Sequence, residues 1–123
     1  MNKVLDDQRK FMVACGQTVD EYNPNQFNLY KELIGEEVGE LITAIKSNDR
    51  VEQLDALIDI LVVTAGAIHS LGADGSNAWD EVMRTNFAKV DPVTGKVRRR
   101  EDGKILKPEN WQPPQLKTFV KNV

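Results

Sequence analysis

The chain is 123 residues long, the size of one domain, and can bury about 68% of its unfolded surface without disulfide staples. With 41% apolar and 28% charged residues it is globular in composition, which excludes a disordered chain, a collagen-like repeat and a disulfide scaffold. A net charge of −3 calls for no nucleic-acid partner, and a single cysteine, Cys15, suits a reducing compartment. The start, Met1 to Lys10, is polar and mixed in charge, unlike a signal or transit peptide. Cytoplasmic location is the resulting expectation.

Hydrophobic periodicity predicts four helices. The first runs from about Asn2 to Cys15, with Val4, Leu5, Phe11, Met12 and Cys15 on its apolar stripe and Gly16 as its stop. Cys15 is therefore expected in the core. The cluster Asn23-Pro24-Asn25 reads as a loop. The second helix spans about Phe27 to Ser47, with Leu29, Leu33, Val38, Leu41, Ile42 and Ile45 as apolar positions. Gly35 and Gly39 lie one turn apart on it, which suggests close approach of another helix or of a ligand. Asn48 or Asp49 offers an N-cap for the third helix, about Arg50 to Leu71.

From Leu54 to Ile68 that third helix is apolar apart from Asp55, Asp59 and Thr64, so it reads as a buried helix, short of the roughly 20 residues that span a membrane. Asp74 or Ser76 caps a fourth helix to about Lys89, with Trp79, Val82, Met83 and Phe87 facing inward. After Val90 the pattern changes to turn chemistry, Asp91-Pro92-Val93-Thr94-Gly95 and Glu101-Asp102-Gly103-Lys104, with a short strand possible from Lys96 to Arg100. This segment is basic, and Pro108 to Pro114 excludes regular helix. The expected architecture is an all-α antiparallel four-helix bundle over residues 1–90. A basic hairpin or extended arm, residues 91–123, packs on the same domain.

The carboxylates carry the chemistry. Asp55 and Asp59 stand at i, i+4, about 40° apart on a helix, and share one face. Glu52 joins the edge of that face one turn earlier. On the second helix, Glu36, Glu37 and Glu40 form E-E-x-x-E, with Glu32 one turn back. A short connection makes the two helices antiparallel neighbours, so these groups converge with no row of Lys or Arg to neutralise them. A solvated acidic face is the plain reading of the glutamates; ionised Asp side chains on an apolar helix require compensation. Together they favour hard divalent cations, Mg²⁺ or Mn²⁺, which take oxygen ligands and complete their shells with water or phosphate. A di-iron site would want Glu-x-x-His, and the one histidine, His69, has Gly66 three residues before it. His69 itself reads as a surface or packing residue. Asn86 and Lys89, at i, i+3, are either plain surface or a donor and a cation aimed at the carboxylates.

The run Glu36-Glu37-x-x-Glu40 followed by an acidic helix resembles the MazG-type all-α nucleoside triphosphate pyrophosphohydrolases, a superfamily that includes dimeric dUTPases and phosphoribosyl-ATP pyrophosphohydrolases. Its pattern is E-E-x-x-E, a gap, then E-x-x-D. Aligning the terminal Asp with Asp59 puts Ala56 where the Glu belongs and Asp55 one position earlier; Glu52-x-x-Asp55 fits literally, with a shorter gap. Asp59 is taken as the last ligand, Asp55 as its partner and Glu52 as the alternative. Asn86-Phe87-Ala88-Lys89 and Gly103-Lys104-Ile105-Leu106-Lys107 are similar to the Asn-x-x-Lys element and Gly-Lys-x-x-Lys arm of a bacterial and phage MazG-like subgroup.

The resemblance implies two or more Mg²⁺ or Mn²⁺ ions, cleavage between the α- and β-phosphates, and a homodimer or homotetramer. The expected metal ligands are Glu37, Glu40, Asp55 and Asp59. Glu36 is the expected base and Lys89 its catalytic companion, while Asn86, Lys89, Lys104 and Lys107 bind the phosphates. The expected substrate is a (deoxy)nucleoside triphosphate, a purine such as dGTP first, with dUTP and phosphoribosyl-ATP as enzymatic rivals. A non-catalytic acidic helical module is the rival of another class. Gln8, Asn23, Gln26 and Trp111 are candidate base readers by chemistry alone.

Overall fold

A computed structural model describes residues 2–122. The chain forms four α-helices, α1 (Lys3–Ala14), α2 (Pro24–Lys46), α3 (Arg50–Ser70) and α4 (Gly75–Phe87), followed by one 3-10 turn, Lys117–Phe119. Each α-helix opens on a side-chain oxygen that takes up an otherwise unsatisfied backbone N–H. Asn2 accepts from Leu5 N, Asn23 from Gln26 N, Asp49 from both Val51 N and Glu52 N, and Asp74 from Asn77 N. Of the alternative caps, Asp49 and Asp74 are the ones used. Asn48 instead takes a positive φ of 52° in the α2–α3 turn. The segment read as a loop, Asn23-Pro24-Asn25, is the start of α2: Asn23 is its cap and Pro24 its first residue, where a missing N–H costs nothing.

Helices α2 and α3 form an antiparallel hairpin with the most extensive helix contact in the chain, and α1 lies against α3. Their core gathers Met12, Tyr30, Val63 and Ala67, with Val19, Phe27, Leu33 and Ile34 around it. Gly66 is the close-approach point of this hairpin. A Cβ there would fall inside the Tyr30 ring, so only glycine lets the ring lie on the α3 backbone. The Tyr30 hydroxyl is pinned by Gln8 and Gln17, and Ser70 bonds to Gly66 O at 2.7 Å. Buried polar groups here are satisfied by one another, as a dense interior requires.

Several inward assignments are corrected by this packing. Cys15 is exposed, as are Phe87 and Trp79 at 66% and 55%. For Phe87 and Trp79 the reason is that α4 leans only lightly on the other helices, so its apolar face lacks a full partner among the described residues, whereas Cys15 stands at the C-cap of α1. A Cβ on Gly35 or Gly39 would meet nothing within 4 Å, so neither serves helix packing here. The buried reading of α3 holds for half of it. Ala56, Val63 and Ala65 to Ala67 are buried, whereas Val51, Leu54, Leu57, Ile58 and Leu61 are exposed.

The basic segment is both hairpin and strap. Isolated antiparallel bridges pair Val90 with Val97 and Arg99 with Ile105, but no strand forms among the described residues, so the expected strand Lys96 to Arg100 is reduced to single bridges. Turns at Gly95 and Gly103, both at positive φ, reverse the chain twice. The remainder returns along α4 in extended form. Trp111 Nε1 donates to Thr85 O at 2.7 Å, Gln115 N to Glu81 Oε2 at 2.7 Å, Asp74 N to Phe119 O at 2.8 Å and Lys121 Nζ to Asp20 O at 3.0 Å.

Candidate active site

The acidic group sits on the half of the α2–α3 hairpin that α1 does not cover. Helical spacing puts Glu40 one turn after the adjacent Glu36 and Glu37 on α2, and the antiparallel return of α3 brings Asp59 beside Glu37 and Glu40. One carboxylate oxygen each from Glu37, Glu40 and Asp59 lies within 4.8 Å of the others. Next to this triad, towards the α2–α3 turn, is a groove of about 690 Å³. Five carboxylates line it, Glu36, Glu40, Asp49, Glu52 and Asp55, and no Lys or Arg does. Glu40 belongs to both the triad and the groove. None of the ion pairs among the described residues touches Glu36, Glu37, Glu40, Glu52, Asp55 or Asp59.

Glu37 shows what the arrangement lacks. It is half-buried, and its Oε2 is shielded from solvent with no hydrogen-bond partner. Desolvation pushes its carboxyl above the usual range, and the neighbouring Glu40, Asp59 and Asp55 carboxylates push it the same way. A shielded carboxylate oxygen beside like charges is a poor structural choice and a good cation ligand. The donor set consists only of carboxylate oxygens, and their separations suit a hard ion held at 2.0–2.6 Å from each oxygen. The acidic cluster can therefore hold a metal ion.

The predicted residues divide into two groups. Glu37, Glu40 and Asp59 come together; Asp55 is exposed and faces the groove with Glu52 and Glu36. The expectation that Asp55 is buried in an apolar helix is corrected, because at that end α3 packs on α2 through Ala56 while Asp55 turns to the open groove. The second group gathers elsewhere. Lys89 Nζ donates to Asn86 Oδ1 at 3.3 Å, and Lys89 and Lys107 Nζ lie 5.1 and 4.6 Å from the centre of the Trp111 ring. Lys104 is exposed at the second turn of the arm. No hydrogen bond or ion pair among the described residues joins these four to the carboxylates.

Three candidate base readers turn out to have structural partners. Gln8 bonds to Tyr30, Gln26 spans Thr18 and Ser70, and Asn23 caps α2. His69 is buried with Nε2 on Leu5 O at 2.8 Å, a packing residue. What sequence reasoning missed is the joint of Lys89, Lys107 and Trp111. The signal available was one aromatic in a Pro-rich basic tail, which says nothing about where it docks.

Comparison with known proteins agrees with this geometry. A family described as phosphoribosyl-ATP pyrophosphohydrolase matches residues 9–86, which include every acidic residue of the triad and groove. An uncharacterised protein of Acanthamoeba polyphaga mimivirus is 35% identical over 69 residues, 54% of this chain and 28% of that relative. The chain thus matches a minor part of that longer protein. Its all-helical fold, its paired acidic helices and a family match over more than half of its length place it: the chain belongs to the phosphoribosyl-ATP pyrophosphohydrolase family, within the MazG-like all-α pyrophosphohydrolases.

Proposed function

We propose that the chain is a Mg²⁺- or Mn²⁺-dependent hydrolase that converts a (deoxy)nucleoside triphosphate, a purine such as dGTP first, to the monophosphate and pyrophosphate. The observation that carries this reading is the unneutralised acidic groove abutting the Glu37–Glu40–Asp59 triad. A triphosphate is repelled by such a surface unless cations stand between them, and a surface of this kind is otherwise a cost. Glu37, Glu40, Asp55 and Asp59 would hold two or more ions, which supply charge neutralisation and acidify bound water.

The chain's own groups do the rest. Glu36, exposed on the groove wall, accepts a proton from the attacking water. The water oxygen bonds to the α-phosphorus as the bridge to the β-phosphate breaks, and pyrophosphate departs with that bridging oxygen. Lys89, Lys104 and Lys107 balance charge on the phosphate chain and Asn86 donates a hydrogen bond to it, and preorganised charge is the main source of rate in such transfers.

The apolar residues left exposed beside the site, Leu54, Leu57, Ile58 and Leu61 on α3, support a homodimer or homotetramer in which a second copy covers them. The double variant Leu54→Arg/Leu61→Arg then elutes as a monomer in size-exclusion chromatography; an unchanged elution volume refutes that interface.

The family match keeps phosphoribosyl-ATP as the second reading. Incubation with the four dNTPs, dUTP, ribonucleotides and phosphoribosyl-ATP, with Mg²⁺, Mn²⁺ or EDTA, tests both. Monophosphate and pyrophosphate that vanish in EDTA are the expected products, and turnover of phosphoribosyl-ATP alone transfers the assignment to it. No turnover of any substrate leaves a non-catalytic acidic module.

A further inference from the structure

A second cavity, of about 310 Å³, lies at the end of the α2–α3 hairpin that α1 covers. It is walled by α1, the α1–α2 connection, the end of α3, the start of α4 and the last residues of the strap. His69, in this lining, follows Asp59 on α3 by about 15 Å of helix at 1.5 Å per residue. The cavity shares no lining residue with the carboxylate groove. Its walls are firmly packed. A Cβ on Gly75 would meet Ile68 Cγ2 at 2.8 Å and Leu5 Cδ1 at 2.9 Å, and one on Gly72 would meet Tyr22 N at 2.7 Å. Asp74 N donates to Phe119 O at 2.8 Å and ties the strap to this wall.

His69 brings an unmet acceptor. The residue is 6% exposed, and its Nε2 lies 2.8 Å from Leu5 O. A carbonyl only accepts, so Nε2 carries the hydrogen, and in the neutral ring Nδ1 keeps a bare lone pair. That nitrogen is shielded from solvent and has no partner. Such an atom costs free energy until a donor reaches it. Asp6 lines the same cavity and enters no ion pair among the described residues.

The lining also holds unmet donors. The backbone N–H groups of Gly75 and Ser76 open α4 and take no partner among the described residues. They stand at the positive end of a 13-residue helix. The other charges are largely engaged. Arg9 bonds to Asp20 Oδ2 at 2.8 Å, Lys121 Nζ to Asp20 O at 3.0 Å, and both Asp74 oxygens accept from Asn77. The carboxylates of Asp6, Asp20 and Asp74 oppose a bare anion, while Arg9, Lys121 and the helix start oppose a bare cation. A ligand carrying both charges satisfies both sets.

We propose that this cavity binds a small zwitterion of the α-amino acid class. Its ammonium group donates to His69 Nδ1 and to Asp6, and its carboxylate accepts from the N–H groups of Gly75 and Ser76. Val19 and Ala73 give an uncharged side chain an apolar wall. The site stands whether or not the chain hydrolyses nucleotides.

The chain has one histidine, so its imidazole is a single reporter in nuclear magnetic resonance. L-Alanine, L-valine and L-glutamine are titrated into the full chain without divalent cations, with acetate and methylammonium as single-charge controls. At least one amino acid should shift the His69 Nδ1 resonance and the Gly75 and Ser76 amides saturably, with a common Kd at least about tenfold below that of either control. Asp6→Asn keeps the side-chain shape and should weaken this binding about tenfold, the loss of one charge-assisted contact, with an unchanged circular dichroism spectrum. No saturable shift with any of the three amino acids overturns the site. Acetate or methylammonium binding as tightly as the amino acid overturns the zwitterion. An Asp6→Asn protein that binds as tightly as wild type overturns the placement of the ammonium group.

Discussion

The two ends of the α2–α3 hairpin are built from the same kind of sequence and do opposite work. At one end Tyr30 lies on Gly66, Met12 of α1 closes the stack, and the polar groups of Gln8, Gln17 and Ser70 find partners. At the other end α1 is absent, the leucines and isoleucines of α3 face outward, and carboxylates crowd without cations to pair them. One end is satisfied by the chain itself apart from His69 Nδ1, which is buried with no hydrogen-bond partner. The other is complementary to things the chain does not contain, and Glu37's shielded, unbonded oxygen is the atom where that is most visible. On the proposed function, stability and chemistry are separated along a single pair of helices, by which stretch α1 covers.

Substitutions at the two ends should therefore have opposite signatures. Met12 is fully buried, and Met12→Ala should lower unfolding free energy by about 2–5 kcal/mol in denaturant titration. Glu40→Gln should reduce turnover on the order of 10²–10³-fold, by analogy with loss of one charge-stabilising group. Its apo melting temperature should stay level or rise, because a repelling carboxylate has been removed. A Glu40→Gln protein that loses activity because it unfolds would erase the distinction between the ends.

Divalent cation offers a smaller and reversible version of the same contrast. Mg²⁺ or Mn²⁺ at 100 times its Kd should stabilise the chain by about 2.7 kcal/mol for one site. Thermal unfolding monitored by circular dichroism should show the rise, EDTA should cancel it, and Asp59→Asn should remove most of it. Equal stabilisation of wild type and Asp59→Asn would mean that the ion binds elsewhere.

The smallest effect belongs to the strap. Hydrogen bonds from Arg84 and then from the Gln115 backbone N–H hold the Glu81 carboxyl down at about 2. A carboxyl lowered on folding contributes stability that is present above its ordinary range, near 4.5, and is lost as pH falls through about 2. Acid titration of Trp111 emission in Trp79→Phe should show the strap loosening within that window. Glu81→Gln should flatten the transition, and a transition of unchanged size would show that the contacts at Trp111, Phe119 and Lys121 hold the strap without Glu81.

Much of this was readable before any coordinates. The stop at Gly16 and the choice of caps, Asn48 or Asp49 for α3 and Asp74 or Ser76 for α4, are local chemistry carried by neighbouring residues, and the structure uses Asp49 and Asp74. The acidic lines on α2 and α3 were equally plain, because 3.6-residue spacing and a short turn set which carboxylates face one another. Pro24 reads as loop because proline interrupts helices, yet at the first helical position it begins one. Trp79, Phe87 and Cys15 are expected inward yet lie exposed, because periodicity reports that a face is apolar, not that a neighbour is there to cover it.

The sequence by itself determined the four helices and the acidic lines on α2 and α3, and narrowed the helix ends to within a few residues, since each depends on contacts a few residues apart. Only the tertiary structure decided which half of α3 is buried, that Asp55 faces a groove while Asp59 joins Glu37 and Glu40, and that Trp111 unites Lys89 with Lys107. Those outcomes turn on contacts between residues far apart in the chain, whose strength depends on the path of every element between them, and no spacing rule within one helix encodes that path.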